Sequence, residues 1–356
     1  MWRWMLAFFM AVLISACSQS QETDSMPADP ELIILAAPQY GDPYYAEVYD
    51  DIIAFQSEFG RRIISAGDDV IILSDEAGAV AFADALGSAH VAIYPVEDIW
   101  ARDFGTSNAA NPVFFRYTAA GQGGGVRGQL DADAVQDGLW SLVEAAGLPL
   151  AETDLLNDGG NFVDDYAGAV VISRKFLRDN GLTETEAREA IGAITGAAGI
   201  AFIEADEQGG LEHADGVVSF IGPNTVIINS YPEDPDYAAA LRADLQAGLP
   251  DVVIHEVPTP YDPSDIYDER FGSACGLYTN ALVTPHRIYL PQFGIQEDQI
   301  VLEQVSRLTD REVVPVQSSG VCYMGGGVRC MSWQMRGENA ERIAGYLRRE
   351  HGFAED

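Results

Sequence analysis

The feature that most constrains the fold is a repeated pattern of paired apolar runs. Three pairs are NFVDDY with AGAVVIS, VVSFI with GPNTVIIN, and NALVT with PHRIYLP, each broken by Gly, Pro or Asn residues that favour turns. The second runs centre near Phe114, Val171, Ile227 and Ile288, at steps of 57, 56 and 61 residues. A period near 57 in about 320 residues predicts about five units in a radial or stacked arrangement.

Stretches with helical periodicity lie between the paired runs, which makes this an α/β chain. TETEAREAIGAITGAAG begins with Thr183 and Glu186 at capping-box spacing, and QEDQIVLEQVSRL and ENAERIAGYLRRE are also predicted helices. No linker interrupts the series, so residues 31–356 are predicted to form one catalytic domain. In DADAVQDGLWSLVEAAG, one helix face would carry Val135, Leu139, Leu142 and Val143.

The N-terminal residues have the features of a bacterial export signal. One Arg precedes an apolar run that is too short to span a bilayer comfortably and that ends in Ile14-Ser15-Ala16-Cys17. We therefore expect residues 1–16 to be a lipoprotein signal peptide, Cys17 to be lipidated, and residues 17–30 to be a flexible tether. The protein would then be exported and lipid-anchored to the cell envelope, with the outer membrane favoured. A plain secretory signal is the alternative.

The charge of the chain limits its partners. The 55 acidic and 20 basic residues give a formal net charge of -35. Such a protein repels phosphate backbones and acidic lipid surfaces, which excludes nucleic acid as a partner and leaves the lipid anchor as the predicted membrane contact. The charge fits either a solvated surface suited to a salty habitat or a cationic substrate.

Several polar residues recur at one phase of the repeat. Asp103, Asp158 and His213 are separated by steps of 55 and 55 residues, and Cys330 lies 50 residues after Asn280. If the units surround an axis, equivalent positions meet at its centre although they are far apart in sequence. One pocket would then contain two carboxylates, a histidine and a cysteine, together with the further carboxylate of Asp215.

Five ordered motifs now identify a family resemblance. The set WARD, DGGN, HAD, TNALV followed by LPQFG, and GGGVRC resembles the agmatine deiminase and bacterial (Porphyromonas-type) peptidylarginine deiminase family of the guanidine-modifying (pentein) superfamily, over residues from about 31 to 350. The resemblance implies a five-bladed α/β propeller. It also implies the roles of substrate carboxylate for Asp103 and Asp215, general acid/base for His213, nucleophile for Cys330, and pocket-mouth residue for Trp100.

Two residues depart from the family pattern. Agmatine deiminases usually have Glu where this chain has Asp158, and His where it has Arg329. Both positions bear on what holds the far end of the substrate, so we take both, with Asn280, as candidate substrate-binding residues. The alternatives are a turn residue for Asp158 and a structural strand-end residue for Asn280.

The chemistry can also be argued from the residue types. A guanidinium carbon is a poor electrophile, so its hydrolysis needs a strong nucleophile such as a thiolate. Paired carboxylates suit the planar N–H fork of a guanidinium, and His213 can protonate the departing amine and then activate water. The expected products are ammonia and a ureido compound. An amidinotransferase and a non-catalytic guanidinium-binding lipoprotein are the alternative functions.

Agmatine or a similar guanidinoalkylamine is the expected substrate, with free arginine and arginine peptides as close alternatives. Recognition of an α-carboxylate would need a cation near the pocket mouth, for which Arg116, Arg127 and Arg329 are candidates. In an oxidising compartment Cys275 and Cys322 can form a disulfide while Cys330 stays free, although the sequence leaves open whether they do.

The triple glycine before Cys330 favours a tight turn and a close approach of the backbone to substrate. No phosphate-loop pattern accompanies Gly325, Gly326 and Gly327. The sequence also has no C-x-x-C, H-E-x-x-H or calcium-loop motif, so we expect no metal and no cofactor.

Overall fold

A computed structural model of the protein describes residues 31–354, except residues 110, 207–209, 262, 263 and 265. The predicted signal peptide, the tether and Cys17 lie outside the described residues. Within the described part of the chain, no helix is both long enough and apolar enough to cross a membrane.

The strands of the described chain form five separate sheets. Their strand orders are β15-β1-β2-β3, β4-β5, β6-β7-β8, β9-β10-β11 and β12-β13-β14 in the numbering that follows. The strands are β1 (Leu32–Ala36), β2 (Asp69–Ser74), β3 (Val91–Ile93), β4 (Val113–Arg116), β5 (Ala151–Leu156), β6 (Val163–Asp164), β7 (Ala169–Ser173), β8 (Gly199–Ile203), β9 (Val218–Gly222), β10 (Thr225–Asn229), β11 (Val253–Val257), β12 (Leu282–Val283), β13 (Arg287–Gln292), β14 (Glu312–Gln317) and β15 (Ser332–Met335).

Three sheets consist of an antiparallel hairpin and a third strand that runs parallel to its second strand. β6, β9 and β12 each pair antiparallel with the next strand, and β8, β11 and β14 each pair parallel with the middle strand. These hairpins are the three pairs predicted from the sequence, with Val171, Ile227 and Ile288 in their second strands. Phe114 lies in β4, which pairs parallel with β5.

The predicted helices are confirmed. The predicted face of α4 is buried, and Thr183 and Glu186 form the expected capping box at the start of α6. The helices are α1 (Tyr49–Ala66), α2 (Glu76–Leu86), α3 (Ala101–Phe104), α4 (Gly125–Ala145), α5 (Lys175–Asn180), α6 (Glu184–Thr195), α7 (Pro235–Gly248), α8 (Glu297–Leu308) and α9 (Gly337–Glu350).

Strand β1 is buried on both faces, as expected for an unbroken apolar run. Ile33 and Leu35 pack into a core with residues of α1 and α2, whereas Leu32 and Ile34 pack into a second core with residues of α4 and α9. β1 also pairs antiparallel with β15, so the first and last strands of the described chain are neighbours.

The candidate site residues share one place in this architecture. Most of them lie in the short segment that leads into the first strand of a sheet. For Asp103, the segment leads instead into the bridge between Ser107 and Val113, which precedes β4. Asp103 precedes that bridge, Asp158 precedes β6, His213 and Asp215 precede β9, Asn280 precedes β12, and Cys330 precedes β15.

Candidate active site

The structure brings the five phased side chains and Asp215 together. The Nε2 of His213 lies 2.9 Å from the Oδ2 of Asp158, and its Nδ1 lies 3.6 Å from the Oδ1 of Asp103. The Asn280 amide donates to the Sγ of Cys330 at 3.0 Å, and this sulfur lies 4.0 Å from the Oδ2 of Asp215. The convergence expected from the sequence phase is therefore present.

A cavity of roughly 620 Å³ opens onto part of this cluster. Trp100, the predicted pocket-mouth residue, lies at its wall. The cluster residues that line it are Asp103, His213, Asp215, Asn280 and Cys330. A cavity of this size, with a nucleophile and several polar groups directed into it, is typical of a small-molecule site.

Asp103 is held by the segments around it. It lies in the short helix α3, and its Oδ1 accepts a hydrogen bond from the Gly160 backbone at 3.0 Å. A Cβ atom at Gly160 would lie 2.5 Å from the Nδ1 of His213 and 2.7 Å from the Oδ1 of Asp103. Glycine at this position therefore lets the Asp103 carboxylate and the His213 ring approach each other.

Asp158 lies behind His213 and does not line the cavity. Its carboxylate is bonded to the histidine ring and also accepts from the backbone N–H and the hydroxyl of Thr118, both at 2.8 Å. Only 2% of the residue is exposed. The structure therefore places Asp158 against the His213 ring and not at the cavity wall, where a residue that holds the far end of a substrate was expected.

Arg329 is also enclosed, which corrects its expected place beside the substrate. Its guanidinium donates to the Oδ2 of Asp215 at 2.6 Å and to the Phe162 carbonyl at 2.7 Å. The residue does not line the cavity, so it contacts a candidate catalytic carboxylate rather than the space where substrate would bind.

The other two predicted cations are also away from the cavity lining. Arg116 forms an ion pair with Asp133 at 2.6 Å, and the side chain of Arg127 is 93% exposed. Arg270, which the sequence analysis missed, does line the cavity and is paired with Asp268. It belongs to an irregular segment, YDERFG, where no periodicity indicates the direction of a side chain.

The carboxylates control protonation in the site. Burial lowers the pKa of His213, but Asp103, Asp158 and Asp215 outweigh it and raise that pKa to about 9. Burial, together with Asp158 and Asp215, raises the pKa of Asp103 to about 7 although His213 opposes the change. In the empty site the imidazole is therefore charged at neutral pH.

The pKa of Cys330 is also shifted, in the direction that favours the uncharged thiol. Burial, with the charges of Asp215 and Asp103, raises the pKa of this thiol well above its usual range. A cation bound between the same two carboxylates would offset their effect on the sulfur. The site can therefore favour a thiolate when a positively charged ligand is present.

The glycines before Cys330 have a steric role. A Cβ atom on Gly326 would lie 2.5 Å from the Trp100 ring and 2.8 Å from the Cβ of Cys330. Gly325 has a positive φ of 97°, which favours glycine. The turn that delivers Cys330 therefore requires glycine at both positions, as the sequence suggested.

A disulfide joins Cys275 to Cys322, and Cys330 is the free cysteine of the described residues. This is the pairing that the sequence analysis considered. The disulfide connects two segments that line the cavity, residues 270–277 and residues 324–330 beside Cys322. In the described part of the chain, no group of three or more His, Cys, Asp or Glu side chains is arranged to hold a metal ion.

Comparison with known families gives a clear match. The profile of the Porphyromonas-type peptidyl-arginine deiminase family matches residues 28–335. The chain belongs to this family. The motifs of this peptidyl-arginine deiminase family member that carry Asp103, Asp158, His213, Asn280 and Cys330 all lie within the matched residues.

Individual relatives agree with the family assignment. A candidate agmatine deiminase from Selenomonas ruminantium is 27% identical over 325 residues, which covers 77% of this chain and 85% of the relative. The structure of an agmatine deiminase from C. jejuni has a TM-score of 0.68 at 20% identity, covering 86% of this chain and 94% of that one.

The agmatine deiminase of Enterococcus faecalis has a TM-score of 0.70 at 18% identity, covering 86% of this chain and 93% of that one. These likenesses establish the fold of the family member described here, a mixed α/β fold shared with agmatine deiminases.

Proposed function

We propose that the protein is a hydrolase that deiminates a guanidino compound, producing a ureido compound and ammonia. The observation that carries this proposal is the placement of Cys330, His213, Asp103 and Asp215 around one cavity. A thiol nucleophile, an acid/base and two carboxylates are the groups that this reaction needs. Membership of a deiminase family supports the same conclusion.

Asp103 and Asp215 bind the substrate guanidinium through its N–H groups. Charge-assisted hydrogen bonds to the planar fork fix the central carbon near the Cys330 sulfur, which is 4.0 Å from the Oδ2 of Asp215. Binding of this cation offsets the carboxylate charges that raise the thiol pKa. The thiol loses its proton to solvent and becomes the nucleophile when the substrate is in place.

Two half-reactions follow. The thiolate forms a bond to the guanidinium carbon, and charged His213 gives a proton to the departing nitrogen as the C–N bond breaks, so that ammonia leaves and an amidino-thioether remains. Neutral His213 then takes one proton from the attacking water, and the C–S bond breaks to release the ureido product and the thiolate. The second proton of that water passes to solvent, where the released ammonia takes up one proton. In total, one water is consumed and one ammonium ion is formed from each guanidinium.

His213 is oriented for both steps. Its Nε2 faces Asp158, which leaves Nδ1 on the side of Asp103, 3.6 Å from that carboxylate. Asp158 holds the ring and stabilises its charged form, because it is bonded at 2.9 Å and is itself fixed by Thr118. Asn280 fixes the sulfur with its amide donor.

The cavity favours a substrate with a second positive charge, such as agmatine or another guanidinoalkylamine. Among the described lining residues, Arg270 is the one arginine. Arginine or peptidyl-arginine is the second candidate, with Arg270 as the partner of its α-carboxylate. The carboxylates of the lining are those of Asp42, Glu97, Asp98, Asp103, Asp206 and Asp215.

A comparison of substrates tests this preference. We expect a higher kcat/KM on agmatine than on a peptide that ends in arginine. A tenfold preference for the peptide, about 1.4 kcal/mol in transition-state binding, would reverse the order. Loss of that preference in Arg270→Ala would then identify the cation responsible.

Deimination itself is tested by ammonia release. Cys330→Ala should lose at least about a thousandfold in kcat, since the covalent route is removed, while it keeps the wild-type fold. Trapping of the wild type should yield a mass adduct of the amidino group on Cys330. Comparable ammonia release by Cys330→Ala would refute the mechanism.

The ammonia assay on the wild-type protein also separates the alternative functions. An amidinotransferase would form an amidino product when an amine acceptor is supplied, and its ammonia yield would fall accordingly. A binding lipoprotein would bind guanidinium ligands without turnover. Capture needs the carboxylates alone, so the presence of Cys330 and His213 beside them supports catalysis.

A pseudo-fivefold propeller over residues 31–356 is the architecture we propose for this single domain. It is supported by the five sheets of the described chain and by the equivalent positions of Asp103, Asp158, His213, Asn280 and Cys330 before their leading strands. An experimental structure in which these segments do not surround a common axis would disprove the arrangement.

Export with a lipid anchor on Cys17 is proposed on two grounds. The N-terminal sequence resembles a lipoprotein signal, and the Cys275–Cys322 disulfide is typical of proteins in an oxidising compartment. Palmitate labelling in the native bacterium should be lost in Cys17→Ser. Labelling that persists in this variant would exclude Cys17 as the lipidated residue.

A further inference from the structure

Arg329 is a buried cation at the centre of the site. Its guanidinium bonds to Asp215 and to the Phe162 carbonyl, with the Gly160 carbonyl at 3.4 Å. Its backbone N–H donates to the side-chain oxygen of Asn280 at 3.3 Å. Arg329 therefore connects the segments that carry Asp158, Asp215 and Asn280 with the segment that carries Cys330.

The charge of Arg329 matters because three carboxylates are buried within reach of one histidine. An arginine stays charged at any pH at which the protein is folded, and removing one partner of a buried ion pair leaves the other uncompensated. Asp103, Asp158 and Asp215 against His213 and Arg329 leave one net negative charge. One bound guanidinium balances that charge.

We propose that Arg329 is a positioning residue of the reaction, which fixes the Asp215 carboxylate toward Cys330 and sets the empty site to the charge that complements one guanidinium. It acts through Asp215, because its side chain does not line the cavity. The inference rests on the proposed deiminase function, and it assigns the arginine a role other than contact with the substrate.

Other charged and titratable groups lie near the ion pair of Arg329 and Asp215. Asp164 and Arg102 interact electrostatically with Arg329, and neither of them lines the cavity. The groups whose charges act on Asp215 or Arg329 are Asp103, His213, Asp164, Arg102 and Cys330.

Arg329→Met tests the proposal, because it preserves much of the side-chain volume and removes the charge. Loss of this buried cation leaves the negative charges of the site less compensated, which disfavours further ionisation there. The acid limb of the kcat/KM profile should therefore move to higher pH by at least about one unit, and KM at pH about 8 should rise at least tenfold. Alkylation of Cys330 by iodoacetamide should shift to higher pH in parallel.

Arg329→Lys separates charge from hydrogen-bond geometry. Lysine keeps the charge but not the planar fork, so it cannot bond to Asp215 and the Phe162 carbonyl in the same way. We expect the acid limb and the alkylation profile to stay near their wild-type positions while KM rises. If Arg329→Met does not fold, a large displacement of both profiles in Arg329→Lys would overturn the proposal.

Arg311→Met is the matched control. Arg311 is a partly buried arginine that donates to the Pro285 carbonyl, and the carboxylates near it are Asp164 and Asp165 rather than those of the cavity. The acid limb of the kcat/KM profile of Arg311→Met should remain at the wild-type pH. Wild-type profiles in Arg329→Met, or an equal shift in Arg311→Met, would contradict the assignment.

The alkylation measurement does not depend on turnover. A wild-type protein that releases no ammonia from any guanidino substrate would contradict the proposed function alone. The dependence of Cys330 alkylation on Arg329 would still decide whether this arginine sets the charge of the site.

Discussion

At the scale of single residues, the site depends on charges that modify one another. Without substrate, His213 carries a proton because carboxylates surround it. Burial is the main reason that Cys330 remains a thiol, and the charges of Asp215 and Asp103 act in the same direction. Neither group is prepared for catalysis by its own environment alone. A cationic substrate changes the field at both, so the ligand itself takes part in forming the reactive state.

The pH profile of kcat/KM should be bell-shaped. Activity should fall as the pH drops through about 7, where Asp103 gains a proton, and should fall again as the pH rises through about 9, where His213 loses one. Asp158→Asn should move the alkaline limb to lower pH, because it removes a carboxylate that stabilises charged His213. Steady-state kinetics across this range would measure both limbs, and an unmoved alkaline limb would contradict the role of Asp158.

Sequence reasoning predicted which residues meet, but not how deep each one lies. The phase of the repeat brought Asp103, His213 and Cys330 together correctly because equivalent segments precede equivalent strands. Phase carries no information about side-chain direction within a segment. Asp158 and Arg329 were expected at the substrate because they depart from the family pattern, but a motif comparison does not show depth either, and they lie behind His213 and Asp215.

At the scale of elements, the turn from residue 325 to residue 330 determines where the sulfur lies. Gly326 faces the Trp100 ring and Cys330 so closely that no side chain fits without movement. Gly327 has more space, since a Cβ atom at this position would meet the Asn280 side chain at 3.8 Å. Two adjacent glycines therefore differ sharply in what they tolerate.

Gly326→Ala should lower kcat/KM by roughly a hundredfold, the effect typical of a displacement of about 1 Å in a catalytic group. The added methyl group would push Trp100 or Cys330 out of place. Gly327→Ala is the control and should stay within about threefold of wild type, because an ordinary contact costs little. Equal losses in the two variants would show that the turn, rather than the contact with Trp100, limits activity.

The disulfide fixes a second element of the site. The irregular segment that carries Arg270 and Phe271 lines the cavity, and the Ala274 N–H donates to the Cys322 carbonyl at 2.8 Å beside the Cys275–Cys322 bond. The two half-cystines are 47 residues apart, so the bond closes a long loop. This cross-link restricts the unfolded chain and holds the cavity wall.

A Cys275→Ser/Cys322→Ser double variant should lose about 3 kcal/mol of unfolding free energy and should show a raised KM. Denaturant unfolding and steady-state kinetics would measure the two effects. A reducing agent should reproduce both in the wild type and have no further effect on the double variant. An unchanged KM would show that the cavity wall does not depend on the cross-link.

The element-level predictions succeeded where short-range rules decide structure. The apolar stripe of α4, the capping box at Thr183 and the turn residues between hairpin strands are all local signals. The segment around Arg270 has no such signal, because its conformation depends on the disulfide and on contacts distant in sequence. Its contribution to the cavity could therefore not be predicted.

At the scale of the whole molecule, the net charge of -35 acts together with the acidic cavity. A strongly negative protein concentrates cations near its surface, and this attraction weakens as salt screens it. Agmatine carries two positive charges and should be more sensitive to this screening than a guanidine with one.

Accordingly, kcat/KM for agmatine should fall severalfold as ionic strength rises from about 0.01 M, where the Debye length is near 30 Å, to about 0.15 M, where it is near 8 Å. A neutral-tailed alkylguanidine should show a smaller fall. Stopped-time assays of ammonia at fixed pH would measure both slopes. Identical slopes for the two substrates would show that the field of the protein does not steer the second charge.

The pairing of β1 with β15 has a consequence for biosynthesis. Leu32 lies opposite Met335, so these neighbours in the sheet are joined by almost the full length of the described chain. Contacts of such long sequence separation form late, because the loop that they close must first be ordered. Cys330 immediately precedes β15, so a ribosome-bound or partly translocated chain lacks the completed catalytic centre. Activity therefore requires that the chain be synthesised and folded at least through β15, so shorter nascent chains should be inert toward guanidino compounds.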